Sequence, residues 1–319
     1  MSQTLFVTHD DCLLHNMGSE HAESPRRLAG IIARLESSGL MAQMERIQAP
    51  SMIREEAIFR AHAPELWRSI IQASPSKGFS SLSREAIMSP GTLKAIRRAV
   101  GGAVEAVERV ADGRSQNAFV ATRPPGHHAT REAAMGFCFV NNAAVAALHA
   151  LDALGLSRVA IVDIDVHHGN GTEDIVAGDP RIFMASTFGS GIYPGHGEHA
   201  LGDNMANIPL PNRTPSAAMR AIALQKVIPS LDQFKPELVI VSAGYDAHKS
   251  DPLGNQRWED EDYHWWFEQL MGVASRHAGG RLVALLEGGY NVEALARCVE
   301  QSVLALLGRP SGESSATAS

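Results

Sequence analysis

Cysteine is scarce in this chain of 319 residues: Cys12, Cys138 and Cys298 are scattered, odd in number and outside any Cys-x-x-Cys pair. That excludes a disulfide framework and a thiolate-rich structural metal site, and it makes a reducing cytoplasm the expected compartment. No apolar run approaches the roughly 20 residues that cross a bilayer, and the opening MSQTLFVTHDDC has neither a basic head nor an apolar stretch fit for a secretion signal. Neither secretion nor membrane insertion is expected. Blocks of lysine and arginine are missing too, and a formal net charge of -7 argues against a nucleic-acid binder, which needs a basic face to displace counterions. What remains is 45% hydrophobic and 20% charged, the balance of a globular chain with a large core.

Short apolar, β-branched runs recur along the chain. LFVT near residue 5, AFVAT ending at Thr122, VAIVDID ending at Asp165, IFMAST ending at Thr187, LVIVS ending at Ser242 and LVALLE ending at Glu287 do not alternate in polarity, so each reads as a strand buried on both faces. Helical periodicity occupies Pro25 to Ser38, Gly91 to Ala111, Asn142 to Leu154, Pro215 to Leu231, Glu259 to His277 and Val292 to Leu307. Alternation of strand and helix predicts an α/β fold with a mostly parallel sheet and helices on both faces. No repeat or linker interrupts it, so one domain over residues 1–310 is expected, followed by a small, polar and disordered tail at 311–319.

Four polar clusters fall at carboxyl ends of the predicted strands: TRPPGHH after Thr122, DIDVHHGNG around Asp165, AGYDAH after Ser242 and EGGY after Leu286. In an open parallel sheet those ends share one edge, and ligands bind in the crevice outside it. Asp165 and His167, two residues apart, can grip one cation, and Asp246 can close the set from a neighbouring strand. Two carboxylates and one imidazole leave a coordination position for water or a carbonyl oxygen; the donors suit zinc and also tolerate iron, cobalt or manganese. The tandem His127-His128 on a rigid Pro-Pro-Gly turn offers general bases, Asp163 can tune an imidazole, and Tyr290 can stabilise an oxyanion.

RPPGHHA, GFCFVNNAAVA, DIDVHHGNGT, SAGYDAHKSDPLG and LEGGYN resemble the signature blocks of the zinc-dependent histone deacetylase family, its class II branch and bacterial amidohydrolases above all. The likeness runs in the family's order from the E-x-P-x-R element at Glu23, Pro25 and Arg27 to LEGGYN. It implies an arginase/deacetylase-like fold and one Zn2+ per chain on Asp165, His167 and Asp246. It further implies His128 as general base and acid, His127 assisting and oriented by Asp163, and Tyr290 on the acetyl oxygen. Gly136, Phe137, Tyr193 and Leu253 fall on the implied substrate tunnel, Arg27 on an acetate channel, and Asp163, Asp165, His167, Ser186 and Thr187 around a structural K+. Asn170 stands where class I members carry an aspartate, which leaves His128 a neutral neighbour. The stretch Ser83 to Glu85, where the family often has a substrate-binding aspartate, reads SRE and gives no assignment.

The expected activity is hydrolysis of an acetylated lysine side chain or a similar small acylated amine. An acetylpolyamine amidohydrolase is the alternative, disfavoured by apolar Leu253 where a polyamine-selective relative would place a glutamate. A non-catalytic binder of acetylated ligands is a further alternative, against which the imidazole pair and Tyr290 count. A two-manganese ureohydrolase would need more carboxylates than DIDVHHGNG supplies. His15, His21, His196, His199 and His248 lie in loops bordering the expected site, and His9, His62, His149, His264 and His277 read as surface or satisfied core groups. Cys138 reads as a small buried thiol. Trp258, Trp265 and Trp266 fit either a subunit interface in a homo-oligomer or packing within the monomer.

Overall fold

The computed structural model describes residues 3–51 and 55–312. Eight strands form one parallel sheet: β1 (Leu5–Thr8), β2 (Glu45–Gln48), β5 (Asn117–Val120), β6 (Val159–Asp163), β7 (Ile182–Gly189), β8 (Met205–Leu210), β9 (Leu238–Ala243) and β10 (Leu282–Leu286), ordered β2-β1-β5-β10-β9-β6-β7-β8. A small antiparallel hairpin, β3 (Ser80–Ser83) and β4 (Ala86–Met88), stands apart from it. The expected tail at 311–319 lies outside the described residues from 313 onward.

The six apolar runs are the six inner strands. Residues of β1, β5, β6, β9 and β10 are buried throughout, as strands covered on both faces must be. The two outermost strands escape the pattern for physical reasons. In β2, ERIQ alternates half-buried and exposed side chains, and β8 carries Pro209, which only an edge can accept because proline donates nothing to a ladder.

Helices α1 (Pro25–Ser37), α7 (Ser216–Ile222), α8 (Ile228–Phe234), α9 (Asp260–His277) and α10 (Val292–Leu306) enclose one core against one face. Helices α2 (Glu56–Ala61), α3 (Pro64–Ala73), α4 (Thr92–Ala111), α5 (Asn142–Asp152) and the short α6 (Asn170–Val176) pack on the other. α7 and α8 are one helix joined by a wide turn over Ala223–Val227, placed just before Pro229, whose missing N–H breaks the α-helical ladder. Trp258 and Trp266 are wholly buried in the core beside Tyr263, and Trp265 packs under Arg220, so the tryptophan cluster belongs to the monomer's interior.

Register aligns the site. Asp163 pairs with both Ser186 and Ser242, Leu286 with Ala243, and Leu285 with Val120, so β5, β10, β9 and β6 end level with one another at the centre of the sheet. The four polar clusters leave from those four adjacent strand ends.

Candidate active site

Asp165, His167 and Asp246 converge in the crevice at that edge, with carboxylate and ring donor atoms all within 4.8 Å of one another. His167 Nδ1 lies 3.0 Å from Asp165 Oδ1 and 3.2 Å from Asp246 Oδ2. Both carboxylates are fully buried and anchored from behind by backbone: Gly288 N–H donates to Asp165 Oδ2 at 2.8 Å and Val166 N–H to Asp246 Oδ1 at 2.9 Å. Asp246 Oδ2 has no hydrogen-bond donor, although a bare buried carboxylate oxygen is costly. A methyl group at Gly288 would overlap the carboxylate oxygens of both Asp246 and Asp165, which is why that position needs glycine.

The electrostatics of the three residues suit a bound cation. Burial raises Asp246, Asp165 beside it raises it further, and the carboxyl reaches about 7. Burial opposes the charged form of His167, but the hydrogen bond to Asp165 and the Asp246 carboxylate beside the ring win and lift it to about 10. Asp165 keeps its charge well below the usual carboxylate range because the surrounding imidazoles outweigh its burial. Asp246 and His167 thus hold protons that a divalent cation would replace, Asp165 stays charged beside them, and the donor set fits such an ion.

Beside them stand the two imidazoles of the PPGHH turn, ring centroids 3.9 Å apart. His127 Nδ1 meets Asp163 Oδ2 at 2.9 Å, and His128 Nδ1 meets Asn170 Oδ1 at 2.7 Å. Their environments drive them apart. Burial works against charge on both, but Asp165 and Asp163 raise His127 well above its ordinary value, while burial, helped by His127 and His167, holds His128 well below its own. A neutral imidazole next to a charged one is the division of labour expected of a base and its electrostatic partner. Glu287, fully buried, accepts the N–H groups of Gly126 (2.7 Å) and His127 (3.1 Å) and so ties β10 to this turn.

A pocket of about 290 Å³ leads down to this cluster. His128 and His167 form its floor, Phe137, Tyr193 and Tyr290 its aromatic walls, and Gly136, Ile192, Leu253 and Glu85 complete the lining. Tyr193 stacks edge-on to His128 at 4.9 Å, and Phe137 faces Tyr290 at 6.0 Å. Burial, reinforced by Asp246, raises the Tyr290 hydroxyl well above its usual value, so it stays protonated and able to donate. Phe137 is held at φ 67° by its N–H bond to Glu85 O, a strained backbone of the kind that clusters at functional sites. Gly136, at φ 53°, presses on the His128 ring where a side chain would collide.

Every expected tunnel residue therefore lies on the pocket. Arg27 does not line it: the guanidinium is fully buried behind Tyr290, 5.0 Å from its ring, and bonds to Glu23, Gly289 O and Glu287 O. Of the loop histidines, His21 packs 4.7 Å from Phe137, whereas His15 and His248 are buried beside the carboxylates of Glu23 and Asp260, and His196 and His199 are exposed. Ile192 and Glu85 are the lining residues that the linear pattern left unassigned, and Glu85 is the polar one of the two. It sits at the turn of the β3–β4 hairpin, where its Oε2 accepts from Tyr193 Oη at 2.7 Å and Gly136 N–H at 3.2 Å. No motif marks it, because a hairpin far along the chain brings it to the mouth.

A parallel sheet with this carboxylate-imidazole crevice at its carboxyl edge places the molecule in the arginase/deacetylase-like class of α/β proteins. The histone deacetylase domain model matches residues 21–306. The histone deacetylase-like amidohydrolase of Pseudomonas aeruginosa is 36% identical over 85% of this chain and 73% of its own length. Polyamine deacetylase HDAC10 of Homo sapiens is 34% identical over 96% of this chain and 48% of its own, so the chain spans about half of that relative. The crystal structure of the HDA15 HD domain superposes with a TM-score of 0.90 at 31% identity, covering 98% of this chain and 90% of the other. The chain belongs to the histone deacetylase family.

Proposed function

We propose that this histone deacetylase-family hydrolase is a zinc-dependent amidohydrolase that removes the acetyl group from Nε-acetyl-lysine or a similar acylated amine. The observation that carries the reading is the floor of the pocket, where His128 and Tyr290 flank the buried Asp165, His167 and Asp246 with the orphaned Asp246 Oδ2. Those three residues would hold one zinc ion per chain, which when bound polarises the acyl carbonyl and lowers the pKa of water.

The chain's own groups supply the rest. His128, neutral and braced by Asn170, takes the proton of the attacking water and returns it to the departing amine. His127, charged and held by Asp163, stabilises the negative charge that develops nearby. The Tyr290 hydroxyl donates to the acyl oxygen as it becomes an oxyanion. Phe137, Tyr193 and Gly136 form a narrow apolar sleeve that suits a methylene chain and strips water from it. For Arg27 we propose a role in acetate exit, on the strength of its guanidinium behind Tyr290. For Asp163, Asp165, His167, Ser186 and Thr187 we propose a structural potassium, supported by the buried, unpartnered Thr187 Oγ1.

A catalytic domain at residues 1–310 and a cytoplasmic location complete the reading; no helix among the described residues is long and apolar enough to cross a membrane. Acetylpolyamines are the second reading, because the Glu85 carboxylate at the mouth offers a distal ammonium a partner although Leu253 does not. The test is the metal content of the purified protein together with rates on an acetyl-lysine peptide and on acetylspermidine, for the native chain, Tyr290→Phe and His128→Ala. Zinc near one per chain, peptide cleavage and loss in both variants are expected. Preference for acetylspermidine that Glu85→Gln abolishes would select the second reading, and zinc-loaded protein inert on every acyl amine would point to a binding protein.

A further inference from the structure

Asp251, in the SAGYDAHKSDPLG block but given no role so far, binds backbone at four points. Its Oδ1 accepts the N–H groups of Leu253 (2.9 Å) and Gly254 (3.3 Å), and its Oδ2 those of Tyr290 (2.6 Å) and Asn291 (3.2 Å). One side chain thus joins two walls of the pocket that are distant in sequence. The first pair is a local turn such as many aspartates make. The second reaches the backbone of the residue whose hydroxyl faces the acyl oxygen, across 39 positions of chain.

The clamp has rigid footing. Asp251 N–H donates to His248 O, His248 pairs with Asp260 at 3.0 Å at the start of α9, and Asn291 Nδ2 donates to Ser250 O at 3.2 Å. Gly254 presses on Asp246 O so closely that a side chain there would collide. Asp246, Asp251, Leu253 and Tyr290 are therefore joined through one set of backbone contacts.

We infer that Asp251 is a positioning residue that fixes the Tyr290 hydroxyl for oxyanion stabilisation and sets the Leu253 side of the mouth against it. The inference rests on the role proposed above for Tyr290. Asparagine at 251 keeps one acceptor oxygen and turns an NH2 donor towards the remaining N–H groups, so one wall comes loose. Serine keeps the short local turn but cannot reach Tyr290.

The experiment compares the zinc-loaded native chain, Asp251→Asn, Asp251→Ser and Tyr290→Phe on acetyl-lysine and trifluoroacetyl-lysine peptides, with zinc content measured for each. Fluorine makes the carbonyl electrophilic and lessens its demand on the tyrosine hydroxyl. The Asp251 variants should lose about 10–100-fold in kcat on the acetyl substrate, the scale of a misplaced oxyanion donor, and under about fivefold on the trifluoroacetyl one. In the Tyr290→Phe background the further loss should vanish, because the two act as a unit. Equal losses on both substrates, additive losses in the double variant, or a zinc-loaded Asp251→Ser within about twofold of native would overturn the inference. Asp251→Ser supplies the same comparison if Asp251→Asn does not fold. A Tyr290→Phe variant fully active on acetyl-lysine would instead overturn the role of Tyr290 itself.

Discussion

Mild acid should destabilise this protein in part through the buried imidazole of His62. It closes α2 and is 1% exposed, with both ring nitrogens committed: Nδ1–H donates to Thr130 O at 2.8 Å, and Nε2 accepts Asn141 N–H at 2.9 Å. These bonds join the end of the PPGHHAT segment to the N-cap of α5, so the ring braces the turn that carries His127 and His128. Burial, with a smaller contribution from Arg131, lowers its pKa from 6.5 to about 4. Below pH 6.5 the unfolded chain takes up a proton that the folded chain refuses, so stability falls as the pH drops, until the folded pKa is passed. The pKa gap amounts to about 2 kcal/mol at pH 5, almost nothing at pH 7.5, and about 3 kcal/mol below pH 4. Urea midpoints of the native chain and His62→Gln at pH 7.5 and 5, at equal zinc, isolate this group because the other titrating residues cancel. The native chain's stability relative to the variant should drop by about 2 kcal/mol between the two pH values. A difference that stays constant within about 0.5 kcal/mol would refute the reasoning.

Other changes probe the site's supports. Gly288→Ala puts a methyl group against Asp165 and Asp246, and zinc affinity measured by competition with a chelator should fall roughly 10–100-fold, as when groups behind metal ligands are disturbed; unchanged affinity would contradict the packing described here. Glu287→Ala strands the N–H groups of Gly126 and His127 and should cost about 2–4 kcal/mol in denaturant unfolding, while Glu287→Gln, which keeps an acceptor, should cost less than half of that. Equal costs would mean that charge, not hydrogen bonding, is what Glu287 contributes.

The inner strands and long helices were legible because burial on both faces writes continuous apolar runs, and helical packing writes its own period. Edge strands β2 and β8, the hairpin and the short α2, α3 and α6 were not. The edge strands bury little or carry a proline that only their position at the rim excuses, and the short helices span too few residues to write a helical period. The tryptophan cluster left interface and core equally open, since composition does not say which neighbours cover a side chain; here Trp266 of α9 and Trp258 just before that helix both lie in the core.

The chain's own order determined the chemistry on offer. Asp165, His167, His127, His128, Asp246 and Tyr290 each follow a strand-like run, and a parallel sheet must bring such ends to one edge. Only the tertiary structure decided how that edge is finished. It fixed which four strands are neighbours, that Asp246 Oδ2 is left without a donor, that Glu85 reaches the mouth from the hairpin, and that Asp251 binds two walls together. Those facts depend on contacts between residues tens of positions apart, whose geometry is set by sheet register and helix packing and leaves no periodic mark on the sequence.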